Sequence, residues 1–212
     1  MMLLKKYRPN WFKILLLFGF VYFFWLMFRL TLEYIPAKAK VSFLMIKQTE
    51  VTQHQEYLPI FYTHVYTSIF VLLSGFLAII RKDFGIKNFH RTVGKVYIFL
   101  LLFLAAPSGI YMGWFANGDV FSKASFVILG ILWWICTFKA YKYARQKKFT
   151  IHQQWMWRSF ALTISAITLR LWKLIIVYFF QPNPMDVYEI VAWLGWVPNI
   201  LIVEFLIRKN KL

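Results

Sequence analysis

The chain has little of what builds a cross-linked or metal-bound domain. Its 212 residues contain one cysteine, Cys136, which excludes a disulfide framework and any zinc or iron–sulfur site made from several cysteines. Acids are sparse, with 8 Asp and Glu against 25 Lys and Arg, a formal net charge of +17. With so few carboxylates in the apolar stretches, transport by a carboxylate relay has no support. There is no Gly-rich phosphate loop, no H-E-x-x-H and no G-x-S-x-G. No catalytic constellation is recognisable, so the sequence does not establish an enzyme.

Apolar and aromatic residues fill the space that these absences leave. The chain is 60% hydrophobic and 21% aromatic, more than a soluble domain of this size can bury. A transmembrane helix needs ~20 mostly apolar residues. That ruler predicts an all-α integral membrane protein with spans at Trp11–Leu30, Pro59–Ile80, Phe89–Trp114, Phe121–Tyr143, Trp155–Phe180 and Tyr188–Ile207, six in all. Trp and Tyr gather near the ends of these spans, as at a membrane interface. The first run is longer than a signal-peptide core and reads as a retained span. The apolar stretch Val41–Ile46 in the following loop reads as a segment lying on the membrane surface.

Placed on this frame, the basic residues fall to one side. Lys5, Lys6, Arg8 and Lys13 precede the first span, and Arg81, Lys82, Lys87, Arg91 and Lys95 surround the second loop. Lys139, Lys142, Arg145, Lys147, Lys148 and Arg158 surround the fourth loop, and Arg208, Lys209 and Lys211 follow the last span. Lys38, Lys40, Lys47 and Lys123 fall on the other side, with most of the acids. The positive-inside rule then puts both termini in the cytoplasm of a multi-pass protein of the cell (inner or plasma) membrane. The charge is accounted for by the lipid bilayer, without nucleic acid.

Helical spacing gathers polar and small residues into stripes: His64 and Ser68 in the second span, His90, Gly94 and Tyr97 in the third, and His152, Ser159, Thr163 and Arg170 in the fifth. Spans two, three and five are therefore expected to form the inner bundle. Arg170 falls near mid-membrane, where a charge either lines a pathway or snorkels to the rim. Pro107 and Pro198 are expected to kink their helices. Glu204 reads as an i,i+4 partner of Arg208.

His90 and His152 each fall two residues past an N-cap candidate, Asn88 and Thr150, after a short basic loop. The two hairpins look like an internal repeat about an axis normal to the membrane. Three readings stay open for this pair. The histidines could ligate a b-type haem from both faces, with Gly94 leaving room for the ring. The two helix starts, with Arg91, Lys95 and Arg158, could bind a phosphate or an anionic lipid headgroup. They could also be ordinary capped helix starts. His64 sits on the opposite rim, either as a core histidine with a hydroxyl partner or as part of an outer site.

The pattern His90-Arg91-x-x-Gly94-x-x-Tyr97, then His152-x-x-Trp155-Met156-x-Arg158-Ser159-x-Ala161-x-Thr163 and Leu169-Arg170, resembles a family of predicted prokaryotic membrane proteins. That family is catalogued as a domain of unknown function (number 2306), and the resemblance runs from about Thr63 to Leu171. Gln153 stands where the family has Arg. The resemblance implies a polytopic membrane protein without an established activity. The expected function is a b-type haem protein in membrane electron transfer, with His90 and His152 as ligands. The alternative is a non-enzymatic transporter or a protein binding anionic lipid or phosphate, using Arg91, Tyr97, Arg158, Ser159, Thr163, Arg170 and His64.

Overall fold

A computed structural model describes residues 11–80 and 87–209, and all its regular elements are helical. Lys5, Lys6, Arg8, Arg81, Lys82 and Lys211, counted to the basic side above, lie outside the described residues. In chain order the helices are α1 (Trp11–Leu32), α2 (Gln48–Gln53), α3 (Tyr57–Ile80), α4 (Lys87–Leu100), α5 (Ala106–Trp114) and α6 (Val120–Arg145), then α7 (Phe149–Thr163), α8 (Ser165–Phe180), α9 (Pro184–Leu194) and α10 (Val197–Arg208).

The expectation of six spans is overturned. Among the described residues, four helical stretches are long and apolar enough to cross a membrane: Tyr57–Ile79, Phe89–Trp114, Val120–Arg145 and Pro184–Arg208. A fifth exists only if α7 and α8, bent by 41° at their junction, count as one span. The first predicted span is not among them: the described apolar stretch there is Leu17–Leu32, within α1. An inner bundle of spans two, three and five is also too narrow: α6 sends Trp133, Cys136, Thr137 and Ala140 into the interior.

In lipid, helices attract one another by close packing rather than by the hydrophobic effect. Gly130 and Gly113 provide it between α5 and α6. A Cβ on Gly130 would stand 2.6 Å from Ile110 Cγ1, and one on Gly113 would stand 3.1 Å from the Phe126 backbone.

The long helices are interrupted, and each interruption has an identifiable partner. Between α4 and α5 the chain makes a π turn, Leu101–Ala105, in which Ala106 N–H bonds Leu101 O five residues back. The next carbonyl in that register, Leu102 O, would need the N–H of residue 107, which is proline and has none. Trp134 Nε1–H of α6 donates to Leu102 O instead, at 3.1 Å.

A second pair of breaks meets at Ile164, between α7 and α8, and at Gly195–Trp196, between α9 and α10. Asn199 Nδ2 donates to Ala161 O at 3.2 Å, to Thr168 Oγ1 at 2.9 Å and to Gly195 O at 3.1 Å. Thr168 Oγ1 also donates to Gly195 O. Pro198 sits in the first turn of α10, just past this break, rather than inside a continuous helix.

The loop before α3 is an ordered cap. Leu44, expected on the membrane surface, is wholly buried with Tyr57, Phe61 and Tyr62. Tyr62 OH accepts from Lys38 N–H at 2.7 Å and donates to Lys38 O at 2.8 Å. Lys47 is buried, bonded to Glu50 Oε1 at 2.7 Å and to Phe115 O. Burial opposes ionisation of Glu50, but the hydrogen bond and charge of Lys47 hold its carboxyl below the usual range.

Replacing Asn199 by Leu strips both helix breaks of their shared donor. The expected cost is about 1–3 kcal/mol, read as a lower midpoint in denaturing-detergent unfolding. The cap has a pH signature. A depressed Glu50 contributes its full stabilisation above its unfolded value of about 4.3 and loses it as pH falls further, through the folded value. Hydrogen exchange across residues 38–56, corrected for intrinsic rates, should therefore rise below about pH 4 and stay flat from there to neutrality.

Candidate functional site

Three of the sequence-selected residues come together at the centre of the bundle. Tyr97 OH lies 2.6 Å from Ser159 Oγ and 2.8 Å from Thr163 Oγ1. Two residues that sequence reasoning passed over complete the group, both from α6. Trp133 Nε1–H donates to Thr163 Oγ1 at 2.9 Å, and Thr137 Oγ1 lies 2.6 Å from Ser159 Oγ. Thr137 also donates to Trp133 O at 2.8 Å, and Thr163 to Ser159 O at 3.0 Å. Five donor hydrogens thus serve six contacts, so no single arrangement fills all of them. Tyr97 fits because Gly75 of α3 gives way to its ring: a Cβ there would stand 2.8 Å from Tyr97 Cε2. The hydrophobic run of α6 hid Thr137 and Trp133, although Trp133 lies one turn before Thr137 on a single face.

His90 and His152 are placed alike. His90 Nδ1 bonds Ala78 O of α3 at 2.9 Å, and His152 Nδ1 bonds Ala140 O of α6 at 2.8 Å, each partner being 12 residues earlier in the chain. A carbonyl only accepts, so each Nδ1 carries the hydrogen. Tyr97 and Ser159, separated by 62 residues, follow these histidines by equal intervals and touch each other. Each histidine thus precedes one partner of the central hydrogen bond by the same interval. Lys148, not Thr150, occupies the position before α7, and Thr150 lies inside the helix.

The haem expectation is overturned. Among the described residues, no group of His, Cys, Asp and Glu assembles that could hold a metal ion. Each imidazole gives its Nδ1–H to a backbone carbonyl of its own hairpin and so joins neighbouring helices. Gly94 does have open space beside it, with no described heavy atom within 4 Å of an added Cβ.

His64 bonds Ala105 O at 2.9 Å through Nδ1 and lies against Ser108 and Ser68, at 3.3 and 3.4 Å. Its ring fits because Gly109 lacks a Cβ that would stand 2.9 Å from His64 Cε1. This cluster braces the π turn, and nearby Tyr111 donates to Glu56 Oε1 at 3.0 Å. Arg170 falls past the bend, in α8, with an exposed side chain that donates to Ala166 O at 2.7 Å. It does not reach the central network.

Arg158 is paired. Its guanidinium grips Glu204 of α10 through Nε to Oε1 and through Nη2 to Oε2 at 3.1 Å. Glu204 therefore serves Arg158 rather than Arg208 as its ion-pair partner. Arg158 also stacks 4.6 Å from the centre of the Trp155 ring, which Lys139 approaches at 4.4 Å. The other basic residues of this end, Arg91, Lys95, Lys142, Arg145, Lys147, Lys148 and Arg208, are exposed. None of these forms an ion pair with a described carboxylate; among the described residues the ion pairs are Lys47–Glu50, His54–Glu56 and Arg158–Glu204.

The family model "Predicted membrane protein (DUF2306)" matches residues 61–207, and the chain belongs to that family. No curated protein and no solved structure matches it. The match begins near the start of α3 and extends through α10, so it takes in both histidines and the central network.

Removing the Tyr97 hydroxyl with Tyr97→Phe should cost about 1–2 kcal/mol, the upper range for interhelical bonds in membranes. Thr137→Val should do likewise. Because both act through Ser159, the double variant should cost less than the two single effects together, as measured in a double-mutant cycle of detergent unfolding.

Proposed function

We propose that this is a non-enzymatic membrane protein that binds anionic lipid headgroups at one end of its helical bundle, and that this end is cytoplasmic. The observation that carries the proposal is the row of exposed basic residues there without a carboxylate partner among the described residues: Arg91, Lys95, Lys142, Arg145, Lys147, Lys148 and Arg208. Short connections between antiparallel helices bring the starts of α4 and α7 and the end of α10 to this one end. A basic end facing the cytoplasm satisfies the positive-inside rule and puts the C-terminus in the cytoplasm.

Each residue selected from the sequence has a part in this reading. Arg91 contacts headgroups directly. Arg158, already neutralised by Glu204, positions Trp155 and α10. His90, His152, Tyr97, Ser159, Thr163 and His64 hold helices together, since their hydrogen bonds run to neighbouring helices. Arg170 belongs to the opposite rim.

The test is retention of lipid by the purified protein from bilayer discs of phosphatidylcholine and phosphatidylglycerol, counted by native mass spectrometry. Wild type should hold phosphatidylglycerol preferentially, and salt should weaken that preference. Each rim cation is worth about 1 kcal/mol toward an anionic surface. Neutralising Lys142, Arg145 and Lys148 to Gln should therefore erase most of the preference. Equal retention of the two lipids by wild type would overturn the proposal. A reporter fused after Lys209 should be active only as a cytoplasmic reporter, and activity as an external one would overturn the orientation.

A further inference from the structure

We infer that α8 and α9 form one hinged hairpin, which swings as a body and parts α9 from α6 at the end of the bundle opposite the basic rim. The hairpin begins and ends at a helix break. Residues 181–183 join its two helices at the far end, while α8 starts after the 41° bend at Ile164 and α9 stops at Gly195–Trp196. The helices are locked together at the base, where a Cβ on Gly195 would stand 2.9 Å from Leu169 Cβ. Close packing of this kind transmits displacement, so one helix carries the other.

The hinge can turn without stranding a polar group in hydrocarbon, which would otherwise forbid the motion. Asn199 Nδ2 reaches Ala161 O, Thr168 Oγ1 and Gly195 O. Thr168 Oγ1 reaches Gly195 O, Ile164 O at 3.2 Å and Ser165 O at 3.3 Å. Three hydrogens thus face five acceptors drawn from α7, α8 and both breaks. As the angle changes, a donor passes from one acceptor to the next rather than losing its bond.

Beyond the hinge the hairpin is loosely held. No residue of α8 after Ile167 is buried, whereas α6 has buried residues from Ser122 to Ala140. Along its length α8 lies against α9; it touches α1 and α7 lightly and packs on neither α5 nor α6. The hydrogen bonds from α6 fall near the pivot. Ser125 Oγ donates to Ala192 O at 2.7 Å and accepts from Trp196 Nε1–H at 2.9 Å. Farther out, α9 meets α6 through Tyr188, whose ring lies 5.8 Å from that of Phe126.

Ser122 supplies the drive. Its hydroxyl is wholly buried and has no hydrogen-bond partner among the described residues. It lies in the same seam, since a Cβ on Gly118 would stand 2.8 Å from Ser122 Oγ and 3.4 Å from Tyr188 Cδ1. A buried hydroxyl without a partner keeps its full desolvation penalty. Parting Tyr188 from α6 admits water to it, so the open seam sheds a penalty that the closed one carries.

Double electron–electron resonance in bilayer discs tests this, with nitroxide labels on cysteines introduced at exposed sites in a Cys136→Ala background. Trp114→Cys on α5 is paired with Met185→Cys on α9, with Leu174→Cys on α8 and, as the scaffold control, with Phe70→Cys on α3. The Trp114–Met185 and Trp114–Leu174 pairs should each show a short and a long distance, and Trp114–Phe70 a single one. Ser122→Ala should lower the long population about fivefold in both hairpin pairs, and Tyr188→Ala should raise it in both. If Tyr188→Ala lowers the detergent-unfolding midpoint, Tyr188→Leu takes its place. A single Trp114–Met185 distance that neither variant changes overturns the inference. So does a shift in Trp114–Met185 that Trp114–Leu174 does not follow, because α9 then moves without α8.

Discussion

Hydrocarbon offers a backbone carbonyl no water to bond, and this constraint governs the side chains that the interior of the bundle retains. Each departure from a continuous α-helix releases a carbonyl, and a side chain from a neighbouring helix takes it up. Trp134 covers Leu102 O where Pro107 removes the expected donor. Asn199 covers Ala161 O and Gly195 O where two broken helices cross. His90 covers Ala78 O, among the last four carbonyls of α3, which lack an intrahelical partner. The polar residues of this membrane protein are thus largely a record of where its helices bend and end.

The two matched hairpins also differ. In both a histidine bonds an alanine carbonyl 12 residues earlier. At the central network the halves diverge. One brings Tyr97 against a glycine surface; the other brings Trp133, Thr137, Ser159 and Thr163 around its hydroxyl. A phenol has one hydrogen to give and can accept others, so a ring of smaller hydroxyls is what completes its bonding in a dry interior. The second helix of each half is interrupted beyond this point, by the π turn in one and by the 41° bend in the other.

Charge is divided by the same logic. Arg158 and Lys47, the two cations drawn furthest into protein contacts, each have a carboxylate. The cations left at the basic end have none among the described residues, and that surplus is what a negatively charged bilayer surface would balance. The haem expectation came from matched histidines at matched depths. Among the described residues no metal-holding group assembles, and matching of this kind is also what a repeated hairpin produces when each copy closes its own carbonyl.

The amino-acid pattern by itself determined the membrane-embedded helical class, the two-sided distribution of charge, the family, and the selection of His90, His152, Tyr97, Ser159 and Thr163 as residues of note. Composition and periodicity report these directly, because apolar length and basic loops are local properties. The tertiary structure decided which selected residues meet. It joined Tyr97 to Ser159 and Thr163, added Trp133 and Thr137, sent Arg170 to the surface and gave Glu204 to Arg158 rather than Arg208. It also decided how the spans are counted, since a continuous apolar run does not reveal where a helix bends. Those outcomes depend on contacts between helices 22 to 66 residues apart in the chain, a separation that no local pattern encodes.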